Sequence, residues 1–149
     1  MEKLNVIVKI KSNINYMESL YFENIEKLTK ENDNFRKVIS TNKHLQLVLM
    51  SLKPKEEIGM EVHDNLDQFF RIEEGEGKAI LNGIEVKIQD GSVVIIPAGT
   101  QHNIINTSGD KALKLYSIYA PRNHPPNRLD KDKPEQDGGY CNYKLKKYI

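Results

Sequence analysis

The segment 91–106, GSVVIIPAGTQHNIIN, constrains the fold of this chain more than any other. Its apolar run at 93–96 has the composition of a buried strand, and Pro97 and Gly99 then mark a tight turn before the next apolar run. A turn between two such strands places His102 at the rim of a sheet. The spacing therefore predicts a β-rich fold with a histidine close to a strand end.

Short apolar segments separated by turn residues recur between His44 and Pro121. The dipeptide Asn82-Gly83 predicts a two-residue hairpin, because both central residues of a type I′ turn need positive φ. Strands this short and this closely spaced favour a closed antiparallel jelly-roll barrel over an α/β repeat. The predicted strands are LQLVLMSL, GMEVH, DQFFRI, KAILNGIEVKI, SVVIIP, HNIIN and ALKLYSIYA.

The predicted strands divide the chain into three parts. Residues 1–35 form an N-terminal extension, with the alternation of an edge strand at 6–10 and helical spacing at 17–28. Residues 36–121 form the barrel. Residues 122–149 form a C-terminal loop and tail, whose first half is rich in Pro, Asp, Lys and Gly.

The charge balance and the apolar pattern exclude several classes of partner. With 22 Lys and Arg against 21 Asp and Glu, the net charge is +1, which argues against nucleic acid or an anionic membrane. No run approaches the roughly 18 apolar residues of a membrane helix, and the N-terminus does not resemble a signal peptide. The single cysteine, Cys141, cannot form an intrachain disulfide. We therefore expect a cytoplasmic protein that binds a small molecule.

Polar residues of two neighbouring predicted strands are expected beside His102. Glu61 and His63 are two residues apart, so on a strand their side chains point to the same side. Gln68 begins the next predicted strand and alternates with Phe70 on one face. The four polar side chains, at positions 61, 63, 68 and 102, would then converge on one point.

These residues resemble the two sequence motifs of the cupin superfamily. The second motif is matched in full by Gly91, Pro97, Gly99, His102 and Asn106. The resemblance covers about residues 41–121 and is that of a single-domain member of the cupin-2 barrel type. It implies an all-β double-stranded β-helix, or jelly-roll barrel, with short N- and C-terminal extensions, and a homodimer.

The first cupin motif is only partly present. It normally runs Gly, five residues, His, one, His, four, Glu, six, Gly. This chain has Lys55, Glu61, His63, Gln68 and Gly75 at those positions, so that three of the five differ. The register is supported by the last glycine and by the short gap of 15 residues to the second motif.

The resemblance implies that one divalent metal ion is held by Glu61, His63, Gln68 and His102. The usual set of three His and one Glu keeps its charge here, while one imidazole is replaced by an amide. Two His and one carboxylate suit non-haem iron or zinc, and an oxygen-rich site also suits manganese, with nickel a further candidate. Gln68 is either a ligand or an outer contact. Hydrogen-bonded structural histidines and a Glu61 paired with a basic residue are the alternative interpretation.

Three functions remain open. The first is a metal-dependent enzyme that resembles cupin sugar or phosphosugar isomerases, with Glu61 as the base if it is free of metal. The second is a dioxygenase of the non-haem-iron type. The third is a non-catalytic ligand-binding or sensor module, and a purely structural oligomerisation unit ranks below these. His124, in the sequence RNHPPN, is predicted to be a loop residue and not a ligand, and His44 a surface residue.

Overall fold

Residues 20–135 are described by the structure, a computed structural model, and they form short β-strands preceded by one helical segment. The elements are, in chain order, α1 (Ile25–Glu31), β1 (Arg36–Thr41), β2 (Gln46–Leu52), β3 (Asp67–Glu74), β4 (Glu76–Leu81), β5 (Ile84–Gln89), β6 (Val93–Ile96), β7 (His102–Asn106), β8 (Leu113–Ala120) and β9 (Leu129–Asp130).

The strands form two antiparallel sheets. The larger has the order β6-β3-β8-β2-β1-β9 and the smaller the order β5-β4-β7. Besides the consecutive pairs β1–β2 and β4–β5, several paired strands are distant in sequence, as when β3 lies between β6 and β8, and this is the pattern of a jelly roll. The predicted all-β double-stranded β-helix is therefore confirmed.

Alternation along the strands determines which side chains enter the barrel. On β3, Gln68, Phe70 and Ile72 are all buried, whereas the residues between them are half-buried. Burial of each large apolar side chain contributes about 1.5–3 kcal/mol to folding. The core is formed by Val48, Met50, Leu52, Phe70, Ile72, Ile104, Leu113 and Leu115.

The predicted hairpin between β4 and β5 is confirmed. Asn82 has φ 47° and Gly83 has φ 82°, the two positive values that a type I′ turn requires. Leu81 pairs directly with Ile84 across this turn, so the register of the small sheet is fixed at its tip.

The prediction of a regular strand at 59–63 is wrong. Gly59 has φ 108°, outside the β region, and its N–H donates to the side-chain oxygen of Asn103 on β7 at 2.9 Å instead of to a backbone carbonyl of that strand. Only a single antiparallel bridge, between Glu61 and His102, joins this segment to β7. The segment is extended at that point, which preserves the expected convergence of its side chains.

The first helix begins later than the helical spacing indicates. Asn24 caps it by accepting a hydrogen bond from the Lys27 N–H at 3.0 Å, and Leu20 and Tyr21 are exposed ahead of it. The predicted edge strand at 6–10, and Cys141 with the rest of the tail, lie outside the described residues. The predicted boundaries of the barrel, at residues 36 and 121, stay predictions. Within the described range, no helix is long and apolar enough to cross a membrane.

Candidate metal centre

A paired backbone contact brings the two halves of the site together. The Glu61 N–H donates to the His102 carbonyl at 2.8 Å, and the His102 N–H donates to the Glu61 carbonyl at 2.9 Å. Because His102 is the first residue of β7, this bridge sets Glu61 beside the rim of the small sheet. It therefore fixes the separation of the two side chains.

The turn at Pro97 to Thr100 holds the third residue of the site. Gly99, at φ 82°, directs its N–H to the carbonyl of His63 at 2.8 Å. A residue with a side chain adopts this left-handed conformation at a cost of about 1–2 kcal/mol, which explains the glycine. The turn between β6 and β7 thus positions His63 as well as His102.

The ring of His102 is held in one tautomer. Its Nδ1 lies 2.9 Å from the Thr100 carbonyl oxygen, which can only accept, so Nδ1 carries the proton. Burial lowers the pKa of His102, and the neighbouring His63 adds to this effect, against the opposing influence of the Thr100 carbonyl and Glu61. A neutral ring protonated at Nδ1 leaves the Nε2 lone pair for a metal ion, an arrangement common among ligating histidines.

Glu61, His63 and His102 form a compact group of donor atoms. One donor atom from each of the three residues lies within 4.8 Å of the others. Glu61 Oε2 is 3.4 Å from His63 Nε2 and 3.7 Å from His102 Nε2. These side chains are largely buried, and in the described part of the chain the ion-pair contacts of Glu61 are these two imidazoles.

Two atoms of this group are buried without a hydrogen bond. Within residues 20–135, Glu61 Oε2 and His63 Nε2 have no hydrogen-bond partner. A buried polar atom left unsatisfied costs about 1–3 kcal/mol, so structures seldom retain two that face each other unless something binds between them. The residues present therefore fit a divalent cation, whose ligands would be one carboxylate and two imidazoles.

Gln68 lies against this group from the large sheet. Its Oε1 is 3.1 Å from His102 Nε2, while its Nε2 donates to Ser117 Oγ at 3.0 Å. Rotating the amide by 180° would present an NH₂ donor to His102 in place of the oxygen. The rotated amide would donate to the free Nε2 lone pair, whereas the oxygen as oriented could contact a cation bound there. All four predicted site residues thus come together.

Sequence reasoning missed a second polar group beside the site. His124 lies in the connection from β8 to β9 but is only 2% exposed, and its Nε2 is 3.2 Å from the Tyr119 hydroxyl. Burial lowers the pKa of His124 to about 3, with the positive charges of Arg36 and Arg128 adding to the effect. The sequence feature that could have indicated this group is the alternation along β8, which places Tyr119 on the buried face of the strand. His44, in contrast, is exposed.

Comparisons with known proteins agree with this architecture. A family model described as a cupin domain matches residues 48–119. The chain is 46% identical to the uncharacterized protein YrkC of Bacillus subtilis (strain 168) over 131 residues, 83% of this chain and 67% of that protein. It superposes on the crystal structure of BH2720 from Bacillus halodurans with a TM-score of 0.74 and 43% identity, covering 76% of this chain and 89% of that one.

A more distant match carries a functional description. The crystal structure of a predicted oxalate decarboxylase from Thermotoga maritima has a TM-score of 0.51 and 30% identity to this chain. The match covers 54% of this chain and 70% of that one.

Proposed function

Because the chain belongs to the cupin superfamily, we propose that it is a small-molecule enzyme whose barrel holds one divalent metal ion on Glu61, His63 and His102. The observation that carries this proposal is the pair of buried, unsatisfied atoms, Glu61 Oε2 and His63 Nε2, 3.4 Å apart. When bound, the metal would act as a Lewis acid on an oxygen atom of the substrate.

The protein residues have separate tasks in this proposal. His102 is kept neutral and correctly oriented by the Thr100 carbonyl, and Glu61 supplies the negative charge that offsets a cation in a buried site. Gln68 adds a neutral amide, which can orient a polar substrate without changing the charge of the centre. Phe70 lies behind His102, with ring centroids 6.4 Å apart, and helps to exclude water from that side.

We favour a proton shift on a hydroxycarbonyl compound, as in sugar isomerases, as the first reaction to test. A metal that polarises the carbonyl lowers the barrier to moving the adjacent proton. Glu61 is the base if its carboxylate is not bound to the metal. Its Oε2 points at both imidazoles, which supports a ligand role and leaves water or a substrate group to carry the proton.

An oxygenase is the second candidate. The donor set of two histidines and one carboxylate is the one that non-haem iron enzymes use while leaving coordination positions open. A substrate panel should include small carboxylic acids, because a predicted oxalate decarboxylase is among the similar structures. Oxygen uptake by the iron-loaded protein would distinguish this reaction from an isomerisation, which consumes no oxygen.

Elemental analysis of protein purified without added metal tests the shared premise. We expect about one divalent ion per chain, retained after dialysis. Glu61→Gln, His63→Ala and His102→Ala should each weaken binding by more than about tenfold, because removing a ligand costs at least as much as removing an outer partner. Gln68→Ala should keep the metal if Gln68 contacts only His102 and the substrate.

Two variants serve as matched controls. Glu57→Gln alters a carboxylate that accepts a hydrogen bond from Asn103 Nδ2 at 2.5 Å and lies outside the donor group. His44→Ala removes an exposed imidazole. Both should bind metal as the parent does. A parent protein that is metal-free as isolated and binds neither iron, manganese, zinc nor nickel would exclude both enzyme proposals and leave a ligand-binding module.

A further inference from the structure

A row of interior polar side chains leads away from the metal centre. In the large sheet, Gln68 on β3 pairs with Tyr119 on β8, and Tyr119 pairs with Gln46 on β2. All three are buried, at 2%, 3% and 0% exposure. Side chains that are directly opposite on antiparallel strands lie about 4.5–5.5 Å apart at Cβ, so the three form a continuous layer inside the barrel.

Gln46, at the far end of this row, holds the connection that follows β8. Its amide oxygen accepts from the N–H groups of His124 at 2.9 Å and Asn123 at 3.2 Å. Its amide nitrogen donates to the His124 carbonyl at 2.8 Å. Because Pro125 and Pro126 then restrict the backbone, His124 is held on both sides. These hydrogen bonds therefore fix the connection against a buried side chain of the barrel.

His124 in turn contacts Tyr119. The Tyr119 hydroxyl is 3.2 Å from His124 Nε2, and the two rings meet edge to face with centroids 5.0 Å apart. His124 stays neutral near pH 7, because burial lowers its pKa to about 3. A neutral imidazole has one nitrogen that accepts, which suits the hydroxyl proton of Tyr119.

Tyr119 also packs against a proposed metal ligand. The rings of Tyr119 and His63 are 6.0 Å apart and nearly perpendicular, at 79°. The ring torsion of a histidine is intrinsically broad, so its plane is set by what surrounds it. His102 has the Thr100 carbonyl for this purpose, whereas the ring of His63 is packed between the rings of His102 and Tyr119, at centroid distances of 5.4 Å and 6.0 Å.

We propose that His124 is a positioning residue for the metal centre, acting through Tyr119 to hold the imidazole of His63 in its ligating orientation. This inference rests on the proposed function, since it concerns a ligand of the proposed metal. It assigns the connection after β8 to the centre, although the ring of Tyr119 separates the side chain of His124 from the nearest proposed ligand.

Cobalt(II) titration of the chelated full-length protein tests this path, with visible absorption as the readout of ligand geometry. His124→Ala and Tyr119→Phe should each weaken cobalt binding by about tenfold, which is the smaller effect expected for residues that contact a metal ligand and not the metal. Both variants should alter the spectrum in the same way. The double variant should be no weaker than either single one. His124→Gln, which retains a side-chain acceptor, should restore much of the parent behaviour.

Tyr116→Phe is the matched control, because Tyr116 lies on the same strand but stacks on Phe69 outside the barrel core. It should leave affinity and spectrum unchanged. If His124→Ala and Tyr119→Phe both bind cobalt with the affinity and the spectrum of the parent, the inference is overturned and the proposed function is not. Effects that add fully in the double variant would overturn it too. A parent protein that binds no cobalt or other divalent metal would instead overturn the proposed function, and the inference with it.

Discussion

At the scale of single residues, the last member of the second motif is structural. Asn106 is fully buried, and its Nδ2 lies 2.8–3.0 Å from three carbonyl oxygens, those of Leu52, Lys53 and Lys111. Its Oδ1 accepts from the Ser108 N–H at 3.0 Å. One amide therefore joins the end of β2 to the loop that follows β7.

We expect Asn106→Ala to lower the free energy of unfolding by about 3 kcal/mol, because it leaves several buried backbone groups unsatisfied. Urea denaturation of the metal-free protein measures this change. Asn42→Ala, which removes one long hydrogen bond of 3.4 Å to Ser40, should change stability by less than about 0.5 kcal/mol. Equal effects of the two substitutions would contradict the structural role of Asn106.

At one position where the first motif departs from the family, the backbone of this chain lies in the left-handed region. Lys55 stands where the family motif has glycine, and it adopts φ 64°. A side chain at such a φ costs about 1–2 kcal/mol, so a non-glycine residue is retained there at the expense of some stability. Its Nζ donates to the Thr107 carbonyl, a contact that glycine could not make.

At the scale of elements, the corners between strands differ in how much room they leave. Gly75, between β3 and β4, has φ 94°, and a Cβ built on it would lie 2.6 Å from the Ala112 carbonyl oxygen. Gly91, between β5 and β6, has φ 85° with open space around the same position. Both corners need a positive φ, but only the first is also closed by a neighbouring backbone.

The two corners provide a matched pair of substitutions. Gly91→Ala should destabilise the protein by about 1–2 kcal/mol, the cost of a left-handed conformation alone. Gly75→Ala should cost that amount and a further 1–3 kcal/mol or so, because backbone must move to relieve the clash. Thermal and urea unfolding of both variants would measure the difference. A Gly75→Ala variant no less stable than Gly91→Ala would show that the corner can relax.

At the scale of the whole molecule, the buried histidine of the β8–β9 connection makes folding sensitive to acid. The unfolded chain protonates His124 below about pH 6.5, whereas burial keeps it neutral in the folded protein down to about pH 3. The unfolded state therefore binds more protons between these values. The stabilising contribution is complete above pH 6.5 and is lost as the pH falls towards 3.

For the metal-free protein, we expect this group to lower the free energy of unfolding by about 1.4 kcal/mol between pH 7.5 and pH 5.5. Urea denaturation at several pH values should show that His124→Gln has a shallower pH dependence than the parent by this amount. The exposed His44→Gln should follow the parent. Parallel curves for the parent and His124→Gln would mean that His124 is protonated equally in the folded and unfolded states.

Much of the fold was predictable because its signals are local. The hairpin at Asn82-Gly83 needs a backbone conformation that few residue pairs adopt, and the alternation of Gln68 with Phe70 reports the buried face of β3 directly. The second motif likewise places a glycine, Gly99, in a turn where φ is 82°. The regular strand at 59–63 was mispredicted because Gly59 leaves the β region and its N–H bonds to the side chain of Asn103, distant in sequence, in place of a backbone carbonyl of β7.

The sequence by itself determined the barrel, its corners and the residue types available to a metal, because periodicity, turn conformation and motif spacing act within a few residues. Only the tertiary structure decided which atoms face one another. Glu61 and His102 meet through a bridge across 41 positions, and His124 is buried because Gln46, 78 residues earlier, binds its backbone. Such contacts depend on strand order and register, and the local sequence pattern of a single segment specifies neither.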